Sequence, residues 1–266
     1  MRKLSLLMIM LPAVLMTACV STPPKDFDSG NVEQAVSRQT STGGVRQRAK
    51  VHTELGRLYL QEGRYEVALE EARVAVESES GYAPAHNLMG SVYMALRRNE
   101  LAEKSFQHAL QLASGDPEIN NDYGWFLCQS GRAKESIPYF KMAIGNPLYQ
   151  APGRALTNAG VCALQFNSDA QAEDYLSRAL RLDRANISAL YWLADIAYRA
   201  NRLADARQKL KDLHVVIEPT ANSAWLALRV EHKLGDREGE ARMTGIMRRK
   251  YRDSPEYQKL SRGEFD

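Results

Sequence analysis

The chain has 266 residues with 35 basic and 32 acidic side chains, so its formal net charge of +3 falls short of the basic excess of nucleic-acid-binding proteins. Three cysteines are too few for a small disulfide-stapled domain, and 44% hydrophobic residues are enough to bury a core.

The first 18 residues have the features of a signal peptide. Arg2 and Lys3 precede an apolar run over residues 4–15, which is too short to span a bilayer as a helix. Residues 16–19 read Met-Thr-Ala-Cys, which resembles a bacterial lipobox with methionine where leucine is usual. The resemblance implies that Cys19 carries a covalent lipid; the alternative is an ordinary secretory peptide with an incidental cysteine.

Residues 19–45 are predicted to be a lipidated flexible tether. The segment is rich in Ser, Thr, Pro, Gln and Gly and contains few apolar groups. Val20 follows the cysteine, and by analogy with lipoprotein sorting the absence of aspartate there favours the outer membrane. The sequence therefore predicts lipid anchoring on the periplasmic face of the outer membrane, with no other cofactor.

A small residue recurs at a fixed interval through the centre of the chain. The intervals are 34, 34, 36 and 34 residues, at Gly56, Gly90, Gly124, Gly160 and Ala194. Further small and large apolar residues follow at nearly constant offsets, as Ala102, Phe106 and Ala109 follow Gly90. This period and order resemble the tetratricopeptide repeat, in which two antiparallel helices cross at small residues.

The resemblance implies an all-α solenoid, a right-handed superhelix of about six helix-turn-helix repeats. Five repeats are clear, a degenerate sixth begins near Asn222, and the domain is predicted over residues 46–254 with a C-terminal tail over 255–266. An ordinary helical bundle with accidental spacing is the alternative.

Two cysteines fall on the first helices of the third and fourth repeats. Cys128 and Cys162 are 34 residues apart, and first helices of adjacent repeats are neighbours in a solenoid. In an oxidising compartment we expect a disulfide between them. The alternative is two buried free thiols that act as small hydrophobes.

The same two repeats carry a more specific string. Residues 120–128 read Asn-Asn-Asp-Tyr-Gly-Trp-Phe-Leu-Cys, and Asn-Pro-Leu-Tyr at 146–149 leads to Ala-Pro-Gly-Arg at 151–154. Together with the signal, tether and repeats, this resembles the PilF/PilW family of type IV pilus biogenesis lipoproteins, called pilotins. The resemblance implies that the chain binds the pilus secretin and promotes its outer-membrane localisation and multimerisation, for pilus assembly and twitching motility.

The first helix of each pair lines the inner surface in this repeat type, so a protein-binding groove is predicted there. Its residues are Asn87, Ser91, Met94, Asn121, Trp125, Thr157, Val161, Tyr191, Asp195 and Tyr198. The mixture suits a peptide with apolar anchors, and Trp125 and Tyr191 are the strongest anchor candidates. Packing between helices is the alternative role of these two rings.

Two other functions compete with this interpretation. One is a repeat lipoprotein scaffold for outer-membrane barrel assembly or for cell-wall enzymes, which repeats and lipid alone do not exclude. The other is an envelope hydrolase. The sequence has no P-loop, no dinucleotide fingerprint, no Gly-x-Ser-x-Gly motif and no paired-ligand metal spacing, so we expect no enzyme, metal or small-molecule substrate.

Overall fold

The structure, a computed structural model, describes residues 44–265. The predicted signal peptide, Cys19 and nearly all of the tether lie outside the described residues. Within 44–265 the chain forms thirteen α-helices and no strand. The helices are α1 (Val45–Gln61), α2 (Tyr65–Ser78), α3 (Ala83–Ala95), α4 (Asn99–Leu112), α5 (Pro117–Gln129), α6 (Ala133–Gly145), α7 (Pro152–Leu164), α8 (Asp169–Leu182), α9 (Ile187–Arg199), α10 (Leu203–Val216), α11 (Ala221–Leu234), α12 (Arg237–Lys250) and α13 (Pro255–Ser261).

Helices α1 to α12 form six consecutive pairs, and each first helix also contacts the first helix of the next pair. The predicted all-α tetratricopeptide-repeat solenoid is therefore confirmed. The sixth pair is complete, although Leu228 stands where earlier repeats carry glycine or alanine. A single repeat cannot bury its apolar face, so stacking of neighbours supplies the core.

The recurring glycines lie where the two helices of a repeat touch. A Cβ atom added at Gly90 would lie 2.7 Å from the ring of Phe106, and one at Gly160 would lie 2.5 Å from Cγ of Leu176. Phe106 and Leu176 are fully buried. Glycine is needed at these positions because the large residue of the second helix fills the space that a side chain would occupy.

The turns inside the repeats share one backbone geometry. In each turn, the residue just before the second helix donates its backbone N–H to the carbonyl oxygen five residues earlier. Arg98 N–H, for example, donates to Tyr93 O at 2.8 Å. The preceding residue is left-handed in every repeat, with φ between 56° and 80°, at Gly63, Arg97, Gly131, Asn167, Asn201 and Gly235. This is the Schellman arrangement that ends a helix and satisfies its last carbonyls.

Arg97→Gly is expected to raise the free energy of unfolding by about 0.5–1 kcal/mol. A left-handed conformation costs an L-residue about 1–2 kcal/mol, and the greater freedom of glycine in the unfolded chain offsets part of that gain. The matched control is Arg98→Gly, because Arg98 has φ of −95° and gains nothing from glycine. Urea unfolding of both variants checks this, and equal effects would contradict it.

The segment predicted as a tail contains α13, which begins 34 residues after α11 and packs on it. Trp225 and Met247 are buried there beneath Tyr257, Leu260 and Phe265. Helix α13 thus occupies the place of a seventh first helix and closes the apolar end of the solenoid, as terminal repeats must.

Candidate functional site

The first helices α1, α3, α5, α7, α9 and α11 form one continuous surface, here called the inner face. The structure places the ten predicted groove residues on α3, α5, α7 and α9, at equivalent positions of successive repeats. Row one contains Asn87, Asn121, Thr157 and Tyr191; row two, four residues later on each helix, contains Ser91, Trp125, Val161 and Asp195; row three includes Met94 and Tyr198.

In row one Asn87 and Asn121 are buried, Thr157 and Tyr191 are half-buried, and the amides are bonded between repeats. Asn87 donates from Nδ2 to Asp122 Oδ2 at 2.7 Å, and Asn158 donates from Nδ2 to Asn121 Oδ1 at 3.1 Å. Buried amides are stable only with such partners. Asn87 Oδ1 is buried and receives no hydrogen bond within the described chain. It is enclosed by the protein, so it is not an acceptor on the accessible surface of the inner face.

Charged residues that the sequence analysis did not select lie beside row one. Arg154 on α7 bonds to Glu118 and, at 3.3 Å, to Asp122 Oδ1, both on α5. Arg154 also donates to the hydroxyl of Tyr149 at 3.3 Å. Burial raises the pKa of Tyr149 to about 12 and raises the pKa of Glu118, while Arg154 opposes both shifts. Two carboxylates therefore share one guanidinium beside row one.

The signal for this cluster was present in the sequence. Glu118 and Asp122 are one helical turn apart, and Arg154 stands at the position equivalent to Glu118 in the next repeat. Farther along row one, Thr157 accepts from Nδ2 of Asn186 at 3.0 Å, which connects α7 to the cap of α9.

Row two is the accessible part of the inner face, because all four of its side chains are half-buried. Trp125 packs against the core cluster that contains Cys128 and Phe140, and its side chain remains half-buried. Asp195 accepts a hydrogen bond from Nε of Arg199 at 2.9 Å. From repeat two to repeat five, row two therefore has two apolar residues flanked by a serine and an aspartate.

The far end of the predicted groove is aromatic and basic. Tyr191 meets Trp192 edge-to-face at 5.0 Å. The ring of Tyr198 is buried beneath Arg229 and Lys233, each 4.4 Å from its centroid. Burial raises the pKa of Tyr191, and the carboxylates of Asp195 and Glu256 raise it further, so its hydroxyl stays a neutral donor.

Comparison with known proteins agrees with this architecture. The tetratricopeptide repeat profile matches residues 83–116 and, in a second version, residues 163–214. The type IV pilus assembly protein PilF of Pseudomonas aeruginosa is 29% identical over 256 residues, which cover 95% of this chain and 96% of the relative. The chain is a tetratricopeptide repeat protein of the PilF/PilW type.

Two solved structures extend the match to three dimensions. Pseudomonas aeruginosa PilF superposes with a TM-score of 0.77 at 29% identity, covering 83% of this chain and 100% of that one. PilW, described as a widely conserved type IV pilus biogenesis factor, superposes with a TM-score of 0.74 at 28% identity, covering 81% and 99%.

A cavity lies among α8, α9 and α10 of this PilF/PilW-type solenoid, on its outer side. It has a volume of about 940 Å³ and separates α8 from α10, above Leu190 and Leu193 of α9. Arg202 crosses it to Glu173 with hydrogen bonds of 2.7 and 2.9 Å. Because row one and row two lie on another side of α9, this cavity is separate from the inner face.

Within residues 44–265 no group of three or more His, Cys, Asp or Glu side chains is arranged to hold a metal ion. Over the same range no helix is long and apolar enough to cross a membrane.

A disulfide joins the third and fourth repeats. Cys128 on α5 and Cys162 on α7 are bonded, with their Cα atoms 5.8 Å apart, and both side chains are buried. In the chain-entropy account, closing a loop of this length stabilises the folded state by about 3–4 kcal/mol. The bond therefore fixes the two repeats that hold the Glu118–Arg154 cluster.

We expect neither Cys128 nor Cys162 to react with a maleimide when the chain is denatured without reductant. After reduction both should react, and the urea midpoint should fall. The control is the Cys128→Ala/Cys162→Ala double variant, whose urea midpoint should not respond to reductant. Full labelling of both thiols in unreduced protein would instead mean two buried free cysteines.

Proposed function

We propose that this chain is a lipid-anchored outer-membrane protein that binds the type IV pilus secretin through its inner face. In this role it promotes secretin localisation and multimerisation. The observation that carries the proposal is row two, a line of half-buried side chains on stacked first helices, in a fold shared with PilF and PilW. The role is binding, because a solenoid of stacked repeats offers an extended surface for a protein segment.

The chemistry of the inner face indicates how a secretin segment would bind. Trp125 and Val161 of row two offer apolar contact, while Ser91 and Asp195 of the same row offer polar contact. Large amphipathic rings dominate interface energetics, so Trp125 and Tyr191 are the expected anchors. The Glu118–Arg154 cluster makes the centre of the face net acidic, which favours a segment with a basic residue between its apolar anchors.

Trp125→Ala and Tyr191→Ala are each expected to weaken binding of the secretin's periplasmic domains by about 1–3 kcal/mol. That corresponds to a Kd about 5- to 150-fold higher. Calorimetry on the full mature chain with Cys19→Ser measures this, and circular dichroism shows whether each variant stays helical. If both variants stay folded and their Kd is unchanged, the inner face is not part of the interface with the secretin.

Two controls make this test specific. Tyr65→Ala removes a half-buried ring from α2, away from the three rows, and should leave the Kd unchanged. Scrambling residues 24–42 at constant length should do the same. In cells, deletion of the gene should abolish heat-stable secretin multimers and spare barrel proteins, whereas general outer-membrane defects would favour the scaffold alternative.

A further inference from the structure

The three rows of the inner face continue into the sixth repeat, where the chain's own C-terminal segment covers them. Trp225, Arg229 and His232 on α11 lie 34 residues after Tyr191, Asp195 and Tyr198 respectively. They are therefore the row-one, row-two and row-three residues of that repeat. None of them belongs to the groove predicted from the sequence.

Phe265 binds to these three residues in the manner of a ligand. Its ring stacks on His232 with centroids 4.2 Å apart and planes 8° apart, and stacks beside Trp225 at 5.9 Å. Its backbone carbonyl accepts a hydrogen bond from Nε of Arg229 at 3.0 Å. The contacts thus recognise one aromatic side chain and the peptide carbonyl of the same residue.

The covering segment is held by few contacts. Helix α13 has only seven residues, and beyond it Gly263, with φ of 70°, turns the chain so that Phe265 returns to α11. Phe265 itself is half-buried, whereas Tyr257 and Leu260 of α13 also pack on Trp225 and its neighbours. Phe265 can therefore leave while the rest of the cap stays in place.

We propose that Trp225, Arg229 and His232 form a slot for an aromatic residue of a partner protein, occupied in cis by Phe265. A segment bearing Phe, Tyr or Trp takes the slot when it displaces Phe265. The slot requires no particular partner, so the inference stands apart from the identity of the secretin. Phe265 thus occupies one end of the inner face of its own chain. This occupancy lowers the apparent affinity of any competing segment for the slot.

The test uses Phe265→Ala in the full mature chain with Cys19→Ser, which empties the slot without removing α13. A library of displayed ten-residue peptides is first cleared of peptides that bind the chain with Phe265 intact. The remaining peptides are then selected for binding to the Phe265→Ala chain. We expect the enriched peptides to contain an aromatic residue and to bind the Phe265→Ala chain at least tenfold more tightly. Adding Arg229→Ala or His232→Ala should reduce that binding at least tenfold.

Leu260→Ala is the matched control, because it loosens the cap and leaves Phe265 in the chain. If Leu260→Ala increases the affinity of the selected peptides as much as Phe265→Ala does, the peptides respond to a weakened cap. That result would overturn the proposed slot. Enrichment without aromatic residues would overturn it as well, as would no peptide preferring the Phe265→Ala chain. Thermal melts confirm that each variant remains folded before its Kd is compared.

Discussion

Gly160→Ala is expected to lower the free energy of unfolding by up to about 2 kcal/mol, although alanine is the better helix former. Its Cβ would lie 2.5 Å from Cγ of Leu176 and 3.3 Å from the carbonyl oxygen of Ala172. Forcing an atom into a packed core costs about 1–3 kcal/mol, and the helix propensity gain of about 1 kcal/mol offsets part of it. Urea unfolding of the oxidised chain measures the difference.

The sign of this effect should reverse when Leu176 is shortened. Leu176→Ala alone costs about 2–5 kcal/mol because it leaves a cavity. In that background the added methyl of Gly160→Ala has room, and only the propensity gain of about 1 kcal/mol remains.

Gly153→Ala on the same helix controls for propensity, since its nearest neighbour atom would be 4.0 Å from the new Cβ. It should be neutral or stabilising. Additive effects of Gly160→Ala and Leu176→Ala would show that the close approach of α7 and α8 is not what requires glycine at residue 160.

The repeat architecture was predictable because its causes are local and periodic. The 34-residue interval between Gly56 and Gly90 predicts where the two helices of a repeat cross. Gly63 and Gly131 mark turns with a left-handed backbone conformation that glycine adopts most easily. The cap α13 lacks these marks, since it is short and Arg262 stands at the small-residue position. Its start 34 residues after that of α11 and its packing on α11 identify it as part of the solenoid.

The candidate site was predictable in position and less so in chemistry. The repeat period places Asn121 and Trp125 on the inner face. One more 34-residue step beyond the last predicted repeat of the groove would have added Trp225 and Arg229. The partners are harder to foresee, because the Arg154–Tyr149 contact depends on the path of a lengthened linker. The return of Phe265 to α11 depends on a turn outside the repeat period.

Cys19→Ala is expected to move the protein from the outer-membrane fraction to the soluble periplasmic fraction. The motivation is the lipobox-like ending of the signal, and residue 19 lies outside the described residues. Each buried methylene of an acyl chain contributes about 0.8 kcal/mol, so several chains hold a protein stably and their loss releases it. Heat-stable secretin multimers should disappear from the outer membrane of the same strain.

Two variants separate lipidation from other roles of cysteine and of the signal. Cys128→Ala/Cys162→Ala removes two cysteines and keeps the anchor, so it should stay in the outer-membrane fraction. Val20→Asp keeps the lipid and should shift the protein to the inner-membrane fraction, since aspartate at that position is the retention signal on which the sorting analogy rests. Sucrose-gradient fractionation followed by immunoblotting distinguishes all three. A Cys19→Ala protein that still sediments with the outer membrane would mean that contacts of the folded domain, and not acyl chains, hold it there.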